Sequence, residues 1–116
     1  MKYSLFIGRW QPFHDGHMWL INERLKKGKN VCIAIRDIKK DKNNPYSPKQ
    51  VKKKINIELK DLIKKGKIKV IIIPDIESVN YGRGVGYEII EHYPPRTIMN
   101  ISATEIRKRL RESGEL

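Results

Sequence analysis

Apolar residues in the first 74 positions form short continuous runs, separated by segments of helical periodicity. The runs at 3–8, 30–36 and 68–74 predict three buried strands, because a strand with one wet face would alternate apolar and polar residues. The segments 15–27 and 48–65 predict helices, since their apolar side chains recur every three or four residues. This order predicts a parallel sheet with right-handed crossovers and helices packed on it.

The two helices are bounded by residues that commonly cap helices. Gly28 suits the C-terminal end of the first helix. Ser47 suits the N-cap of the second, and Gln50 three residues later completes a capping box. Gly66 then ends this helix before the third strand begins. Four apolar residues form a stripe that we expect to face the sheet, namely Val51, Ile55, Leu59 and Leu62.

The last third of the chain has a less regular pattern. The segment 86–92 fits either a strand or a single helical turn, and the segment 96–101 predicts a final short strand. A last helix follows Ser102, which together with Glu105 predicts another capping box. Ile106 and Leu110 are expected to face inward on this helix, and Gly114 is expected to end it.

Length and composition fit a single soluble α/β domain that covers residues 1–116. The only cysteine, Cys32, lies within the second apolar run, which predicts a buried thiol rather than a reactive one. One cysteine cannot form an internal disulfide, so a reducing, cytoplasmic setting is favoured. No apolar run approaches the roughly 20 residues of a membrane span, and we expect no membrane partner.

The formal net charge of +12 indicates that the chain could bind an anionic partner. Nucleic acid, a membrane surface and a phosphorylated small molecule would all satisfy this charge. Most lysines fall in the central third of the chain, where they also fit the solvated face of a helix without any function. Charge alone therefore does not choose between these readings.

The stretch GRWQPFHDGH, residues 8–17, places His14 and His17 at the predicted start of the first helix. A structural zinc site is disfavoured, because it needs four ligands and only His92 and a strand cysteine remain. Phosphate binding fits better, since a helix N-terminus attracts anions, Gly16 permits close approach, and both imidazoles can donate N–H bonds. Exposed loop histidines without a function are the plain alternative.

The stretch ISATEIR, residues 101–107, places a second polar motif at the start of the last helix. Ser102 and Thr104, with their backbone amides, can donate to phosphate oxygens, and Arg107 one turn later can act as a guanidinium clamp. A capping box followed by a basic amphipathic helix explains the same residues without any ligand. In an open α/β sheet, both motifs would lie at the carboxyl ends of the strands, where ligands bind.

Together the two stretches resemble the paired HxGH and ISxTxxR motifs of the nucleotidyltransferase superfamily. The resemblance implies a single Rossmann-like domain, the HIGH-superfamily nucleotidyltransferase fold, similar to the catalytic fold of class I aminoacyl-tRNA synthetases. The form GRxQPFHxGH is closest to adenylyltransferases that act on nicotinamide mononucleotide, whereas the small size is closer to cytidylyltransferases. The resemblance to this superfamily implies that a phosphorylated small-molecule acceptor attacks a Mg2+-bound nucleoside triphosphate. Pyrophosphate then leaves, and no covalent enzyme intermediate is formed.

The resemblance also implies roles for individual residues. His14 and His17 would be the catalytic pair on the phosphates, and Gly16 would admit the base or ribose. Further nucleotide or phosphate contacts would come from Gly8, Arg9, Phe13, Ser102, Thr104 and Arg107, although Phe13 and Trp10 also fit local packing. Two candidates for binding the acceptor rest on their place in the chain instead. Asp37 follows the second strand at the edge where the acceptor is expected, and Arg83 lies between two glycines, where it fits a tight turn equally well.

The chain departs from this family in the segment 75–97, which is shorter than in the larger enzymes and is interrupted by GRGVGY. The choice between ATP and CTP, and the identity of the acceptor, are therefore open. A non-catalytic, basic nucleic-acid-binding module and a purely structural relative are the competing hypotheses, although we expect no nucleic-acid partner. A homodimer that completes the site is a further possibility for so small a chain.

Overall fold

The computed structural model describes residues 1–84 and 86–116, so that Val85 of the GRGVGY stretch lies outside the described residues. Three strands form one parallel sheet in the order β1-β2-β3. The strands are β1 (Tyr3–Gly8), β2 (Asn30–Asp37) and β3 (Ile68–Pro74). The helices are α1 (Asp15–Leu25), α2 (Pro48–Glu58), α3 (Lys60–Lys64), α4 (Arg96–Met99) and α5 (Ala103–Glu112). The predicted Rossmann-like α/β fold is confirmed.

The core lies on the face of the sheet that α1 and α2 cover. Phe6, Ile33 and Val70 are aligned across the three strands and point to this face. Ile21 of α1 and Ile55 of α2 pack against it and are fully buried. Both crossovers connect strands in the same direction, and right-handed crossovers of that kind put their helices on the same side. The core therefore lies on the face that α1 and α2 cover, and the side chains of β1 on the opposite face are exposed.

Strand β1 differs from its prediction as a buried strand. Its side chains are alternately exposed, with exposed fractions of 41% at Tyr3, 58% at Leu5 and 36% at Ile7. The exposed side chains point to the face opposite α1 and α2, whereas Phe6 points to the covered face and packs against the core. In β2, by contrast, the five residues Val31–Ile35 are all buried, as the continuous apolar run predicts.

The helix predicted over 48–65 is divided into α2 and α3 at Leu59, which is buried at the junction with φ −109° and ψ 21°. The predicted capping box is confirmed, because the Ser47 and Gln50 side chains each accept the other residue's backbone N–H. Helix α1 ends two residues earlier than predicted, and Gly28 adopts a φ of +72° beyond it.

The prediction of a strand over 96–101 is wrong, since residues Arg96–Met99 form the short helix α4. The extended backbone of Pro95 precedes this turn, and its carbonyl accepts hydrogen bonds from the N–H groups of Ile98 and Met99. The segment 86–92 is neither strand nor helix. Within the residues that the structure covers, no helix has the length and apolarity needed to cross a bilayer.

Helix α5 forms where the sequence predicts it, but only half of its capping box is present. The hydroxyl oxygen of Ser102 accepts the Glu105 N–H at 3.4 Å. Ile106 and Leu110 are half-buried, and the buried residue of this helix is Arg107. A cation on the inner side of a helix needs polar partners, and these belong to the site described below.

Two isoleucines of α2 test the core assignment, because Ile55 is fully buried and Ile57 is 67% exposed. Ile55→Ala should lower the free energy of unfolding by about 2–5 kcal/mol, through lost burial and a residual cavity. Ile57→Ala should change it by no more than about 0.5 kcal/mol. Urea unfolding followed by circular dichroism measures both values, and equal losses would contradict this packing.

Candidate functional site

His14 and His17 form a reciprocal cap at the start of α1. The Nδ1 atom of His14 accepts the backbone N–H of Gly16 at 3.0 Å, and Nδ1 of His17 accepts the backbone N–H of His14 at 3.1 Å. The two rings stack, with centroids 3.7 Å apart and planes inclined by 19°. The two imidazoles thereby satisfy backbone donors that a helix N-terminus otherwise leaves unpaired.

These bonds determine which ring nitrogen carries the proton. A nitrogen that accepts an N–H bond has no hydrogen of its own, so each neutral ring carries its proton on Nε2. Burial, and to a smaller extent the neighbouring His14, lower the pKa of His17 to about 3. Burial also lowers the pKa of His14, which the Asp15 carboxylate partly opposes. At neutral pH the site therefore holds two uncharged rings, each with one Nε2–H donor.

Aromatic side chains hold His17 in place. Phe13 stacks near its ring at a centroid distance of 5.6 Å, and Trp10 meets it edge-on at 4.7 Å. Trp10 is buried with a left-handed φ of 56°, and its Nε1–H donates to the carbonyl of Ala34. A Cβ at Gly8 would lie 3.0 Å from the Trp10 ring, so glycine is needed there for packing. The local packing considered for Phe13 and Trp10 is observed.

Gly16 marks the place where the two motifs meet. A Cβ there would lie 2.8 Å from Cε1 of His14. The imidazole ring of His14 is therefore the group that leaves no room for a side chain at residue 16. The same Cβ would lie 3.8 Å from that of Ile101, the residue before the N-cap of α5. The N-termini of α1 and α5 are thus neighbours, although 85 residues separate His17 from Ser102.

Arg107 connects α5 to the first motif from the inside. Its exposed fraction is only 5%, and its Nη1 donates to the backbone carbonyl of Gln11 at 2.6 Å. Its Nη2 donates to the hydroxyl oxygen of Thr104 at 3.3 Å. A phosphate contact of Arg107 stays a prediction, whereas its contact with the backbone of the first motif is observed.

Gln11 is a site residue that the sequence reasoning missed. Its side chain is 95% buried, donates to the carbonyl of Tyr46 at 2.8 Å and accepts the Tyr46 N–H at 3.0 Å. An amide carries a donor and an acceptor side by side, so it can satisfy both backbone groups of another residue in this way. The signal was a polar residue between Trp10 and Pro12 in an otherwise buried stretch.

The loop 41–46 forms the third wall of the site. The Asp41 carboxylate accepts bonds from the backbone N–H groups of Asn43 and Asn44 and from the Asn44 side chain. These bonds, with the Asn44 amide first, lower the pKa of Asp41, and the positive charge of Arg9 acts in the same direction. Arg111 of α5 donates to the carbonyl of Lys42. The loop therefore lies between Arg9 and the arginines of α5.

The candidate acceptor residues lie elsewhere along the sheet. Asp37 is exposed at the carboxyl end of β2, where its register partner is Pro74. The neighbouring Arg36 is engaged with Asp75, from Nη2 to the carboxylate at 2.8 Å. Arg83 lies in the exposed segment between β3 and α4. The structure thus groups the phosphate candidates at two helix starts and places the acceptor candidates on a different part of the chain.

The donor set around the histidines consists of N–H groups, hydroxyls and cations, which suit phosphate oxygens. In the part of the chain that the structure describes, no three His, Cys, Asp or Glu side chains come close enough together to hold a metal ion. The lysine-rich surface is a separate feature on the outer side of α2. Four lysines there line a shallow cavity of about 500 Å³ with Asn56 and Ile57, namely Lys49, Lys52, Lys53 and Lys60.

No family model matches the chain. It is similar to nicotinamide-nucleotide adenylyltransferase 1 of Sulfolobus acidocaldarius, with 29% identity over 105 residues, 89% of this chain and 58% of that protein. It is 28% identical to nicotinamide-nucleotide adenylyltransferase of Methanolobus tindarius over 116 residues, 100% of this chain and 65% of the other. It is also 36% identical to the nicotinamide/nicotinic acid mononucleotide adenylyltransferase of Acinetobacter baylyi over 55 residues, which are 46% of this chain and 29% of that protein. The chain spans less than two thirds of each of these relatives.

The low pKa of His17 predicts a pH dependence of stability. As the pH falls below 6.5, the unfolded chain takes up a proton at residue 17 while the native chain, with a pKa of about 3, does not. The free energy of unfolding should therefore fall by about 1.4 kcal/mol per pH unit through this residue, and His14 adds to the same trend. Urea unfolding from pH 7 to pH 4 measures the slope. It should be smaller in His17→Gln and unchanged in His92→Gln, and equal slopes in all three proteins would contradict the buried, neutral ring.

A second prediction concerns the buried Gln11, because its removal leaves both backbone groups of the half-buried Tyr46 without their partner. Gln11→Ala should lower the free energy of unfolding by about 2 kcal/mol or more. Gln50→Ala is the matched control, since Gln50 also accepts a backbone N–H but is exposed, and it should cost less than about 1 kcal/mol. Chemical denaturation of the two variants at pH 7 would refute the role of Gln11 if the two losses were the same.

Proposed function

We propose that the chain is a nucleotidyltransferase that transfers AMP from ATP to a phosphorylated small-molecule acceptor and releases pyrophosphate. The observation that carries the proposal is the stacked, uncharged histidine pair with two Nε2–H donors beside the N-terminus of α5. The names of the relatives support adenylyl transfer over cytidylyl transfer, and make nicotinamide mononucleotide the first acceptor to test. The proposed catalytic unit is the single domain 1–116.

In this proposal the histidines act on the α-phosphate. An oxygen of the acceptor phosphate attacks the α-phosphorus, and the bond from that phosphorus to the β-phosphate oxygen breaks, so that pyrophosphate departs. The Nε2–H groups of His14 and His17 donate to the α-phosphate oxygens, on which charge increases during the attack. Because its pKa is about 3, the His17 ring is neutral at neutral pH. It therefore stabilises the transition state as a hydrogen-bond donor and does not act as a general acid.

The pyrophosphate end of ATP is assigned to the start of α5. Thr104 is exposed there, and its hydroxyl oxygen accepts from Arg107, which leaves the hydroxyl proton available for a phosphate oxygen. Ser102 likewise accepts the Glu105 N–H and keeps its own proton to donate. The exposed Arg9 supplies a positive charge whose influence reaches both Asp41 and Arg107. Arg107 positions these groups through its bonds to Gln11 and Thr104.

Magnesium is proposed to enter with the triphosphate. The donors and cations of the site suit phosphate oxygens rather than a divalent metal, so the ion would be held by the phosphates themselves. It would supply neutralisation of the charge on the leaving pyrophosphate. Asp37 and Arg83 remain the proposed acceptor contacts, and the cytoplasmic setting remains an expectation.

The proposal is tested by a screen of ATP, CTP, GTP and UTP with Mg2+ against phosphorylated acceptors, with released pyrophosphate as the readout. Nicotinamide mononucleotide, nicotinic acid mononucleotide and glycerol phosphate form the first set. We expect turnover with ATP and one of the mononucleotides. Failure of every triphosphate to bind in calorimetry would refute the proposal. RNA binding with a steep salt dependence and no turnover would instead favour the nucleic-acid module.

Replacement of the histidine donors gives the sharpest prediction. His14→Ala and His17→Ala should each lower kcat/KM by about 100–1,000-fold, the usual cost of losing one preorganised donor to a transition-state oxyanion. His92→Ala is the control, because this half-buried histidine stacks on Phe6 outside the pair, and its kcat/KM should stay within about twofold of the parent. Circular dichroism confirms that each variant is folded, and activity retained in both His14→Ala and His17→Ala would exclude the assigned roles.

A further inference from the structure

Arg107, the arginine of the ISATEIR stretch, is turned inward, and its guanidinium is already engaged. Only 5% of the residue is exposed. Its Nη1 donates to the carbonyl of Gln11, and its Nη2 donates to the hydroxyl oxygen of Thr104. Arg107 therefore supports the two motifs from behind, and it presents little of its charge to a ligand at the surface.

Arg111 lies on the same side of α5, one turn after Arg107, and is exposed. Residues four apart on a helix are neighbours, and long side chains lean towards the helix N-terminus. The guanidinium of Arg111 therefore extends back along the helix, towards the turn of Arg107. Its Nη2 donates to the carbonyl of Lys42 in the loop 41–46. That bond uses one of the five N–H groups of the guanidinium and leaves the others for a ligand.

Arg9, Arg107 and Arg111 together form a cluster of positive charge. Burial lowers the pKa of Arg107, Arg9 and Arg111 act in the same direction, and the Asp41 carboxylate opposes them. In the part of the chain that the structure describes, none of the three arginines forms an ion pair with a carboxylate. Oδ1 of Asp41 already accepts three N–H bonds from its own loop. Three guanidiniums that repel one another and have no paired carboxylate favour an anion as their common partner.

We propose that Arg111 binds the terminal phosphate of the nucleoside triphosphate, and that it thereby selects triphosphates over diphosphates. The inference rests on the proposed function, in which Ser102 and Thr104 hold the pyrophosphate end of ATP. The hydroxyls of these two residues are neutral, whereas the terminal phosphate carries the largest negative charge of the three. Arg111, with Arg9, supplies the exposed positive charge, and a planar guanidinium can hold two phosphate oxygens at once.

A purely structural role is the alternative for Arg111, in which it only ties α5 to the loop 41–46 through the Lys42 carbonyl. The two roles differ in how they affect nucleotides of different length. Loss of the tie to the loop would weaken the binding of ATP and ADP alike. Loss of a contact with the terminal phosphate would weaken the binding of ATP alone.

Calorimetry of the full chain with ATP and with ADP, each with Mg2+, separates the two roles. Arg111→Gln keeps an N–H donor for the Lys42 carbonyl but removes the charge. It should weaken ATP binding by about 10–100-fold, the usual cost of one charge-assisted contact, and leave ADP binding within about twofold. Arg111→Lys keeps the charge without the planar fork, and its affinity for ATP should lie between the two. Equal losses for ATP and ADP, or no loss for ATP, would overturn the proposal.

Arg109→Gln is the matched control. Arg109 is exposed on the same helix, but it is two residues from Arg111 and so lies on the other side. Its replacement removes the same charge from the chain. Both affinities should stay within about twofold of those of the unchanged protein, because distant surface charges are screened by salt. A loss of ATP binding as large as in Arg111→Gln would show an effect of net charge and would overturn the proposal.

One comparison does not depend on any variant being folded. The unchanged protein should bind ATP at least about tenfold more tightly than ADP, and similar affinities for the two nucleotides would overturn the proposal. Calorimetry measures binding without turnover, so this result is separate from the test of the proposed function. ATP binding that depends on Arg111, with no pyrophosphate released from any acceptor, would contradict the transferase alone. Turnover with an unchanged ATP affinity in Arg111→Gln would contradict the role of Arg111 alone, and a chain that binds no ATP would contradict both.

Discussion

Gln11 is the residue on which the arrangement of the site depends. Its buried side chain pairs with both backbone groups of Tyr46, and its own carbonyl accepts the Arg107 guanidinium. These bonds join Gln11 to two residues that lie 35 and 96 positions further along the sequence. Each involves a buried polar group whose loss would strand a partner, so the three stretches are held in one arrangement.

The histidine pair gives the site its chemical character. The backbone at the start of α1 supplies N–H groups to both Nδ1 atoms, and Trp10 and Phe13 exclude water from His17. Desolvation lowers the pKa, and the backbone bonds put the remaining proton on Nε2. An uncharged donor that needs no reorganisation is well suited to phosphate oxygens that gain charge during a reaction.

A sheet of only three strands supports this site, and it leaves one edge of β1 without a neighbouring strand. One face of the three strands carries the whole core, and β1 ends in Gly8 next to the first motif. The edge of β1 that carries no strand adjoins the same end of the sheet.

The sequence by itself determined the three parallel strands, the helices that connect them and the start of α5, because apolar periodicity and capping residues act locally. Local pattern also located His14, Gly16 and Ser102 at helix starts. It failed at residues 96–101, where the backbone of Pro95 leads into a helical turn. It also failed at β1, whose exposure depends on which face of the sheet the helices cover. Only the tertiary structure decided that Arg107 is buried against Gln11, that Gly16 is needed by an imidazole ring, and that His17 is uncharged. Each of these results depends on groups brought together from distant positions or on the exclusion of water, neither of which a local pattern contains.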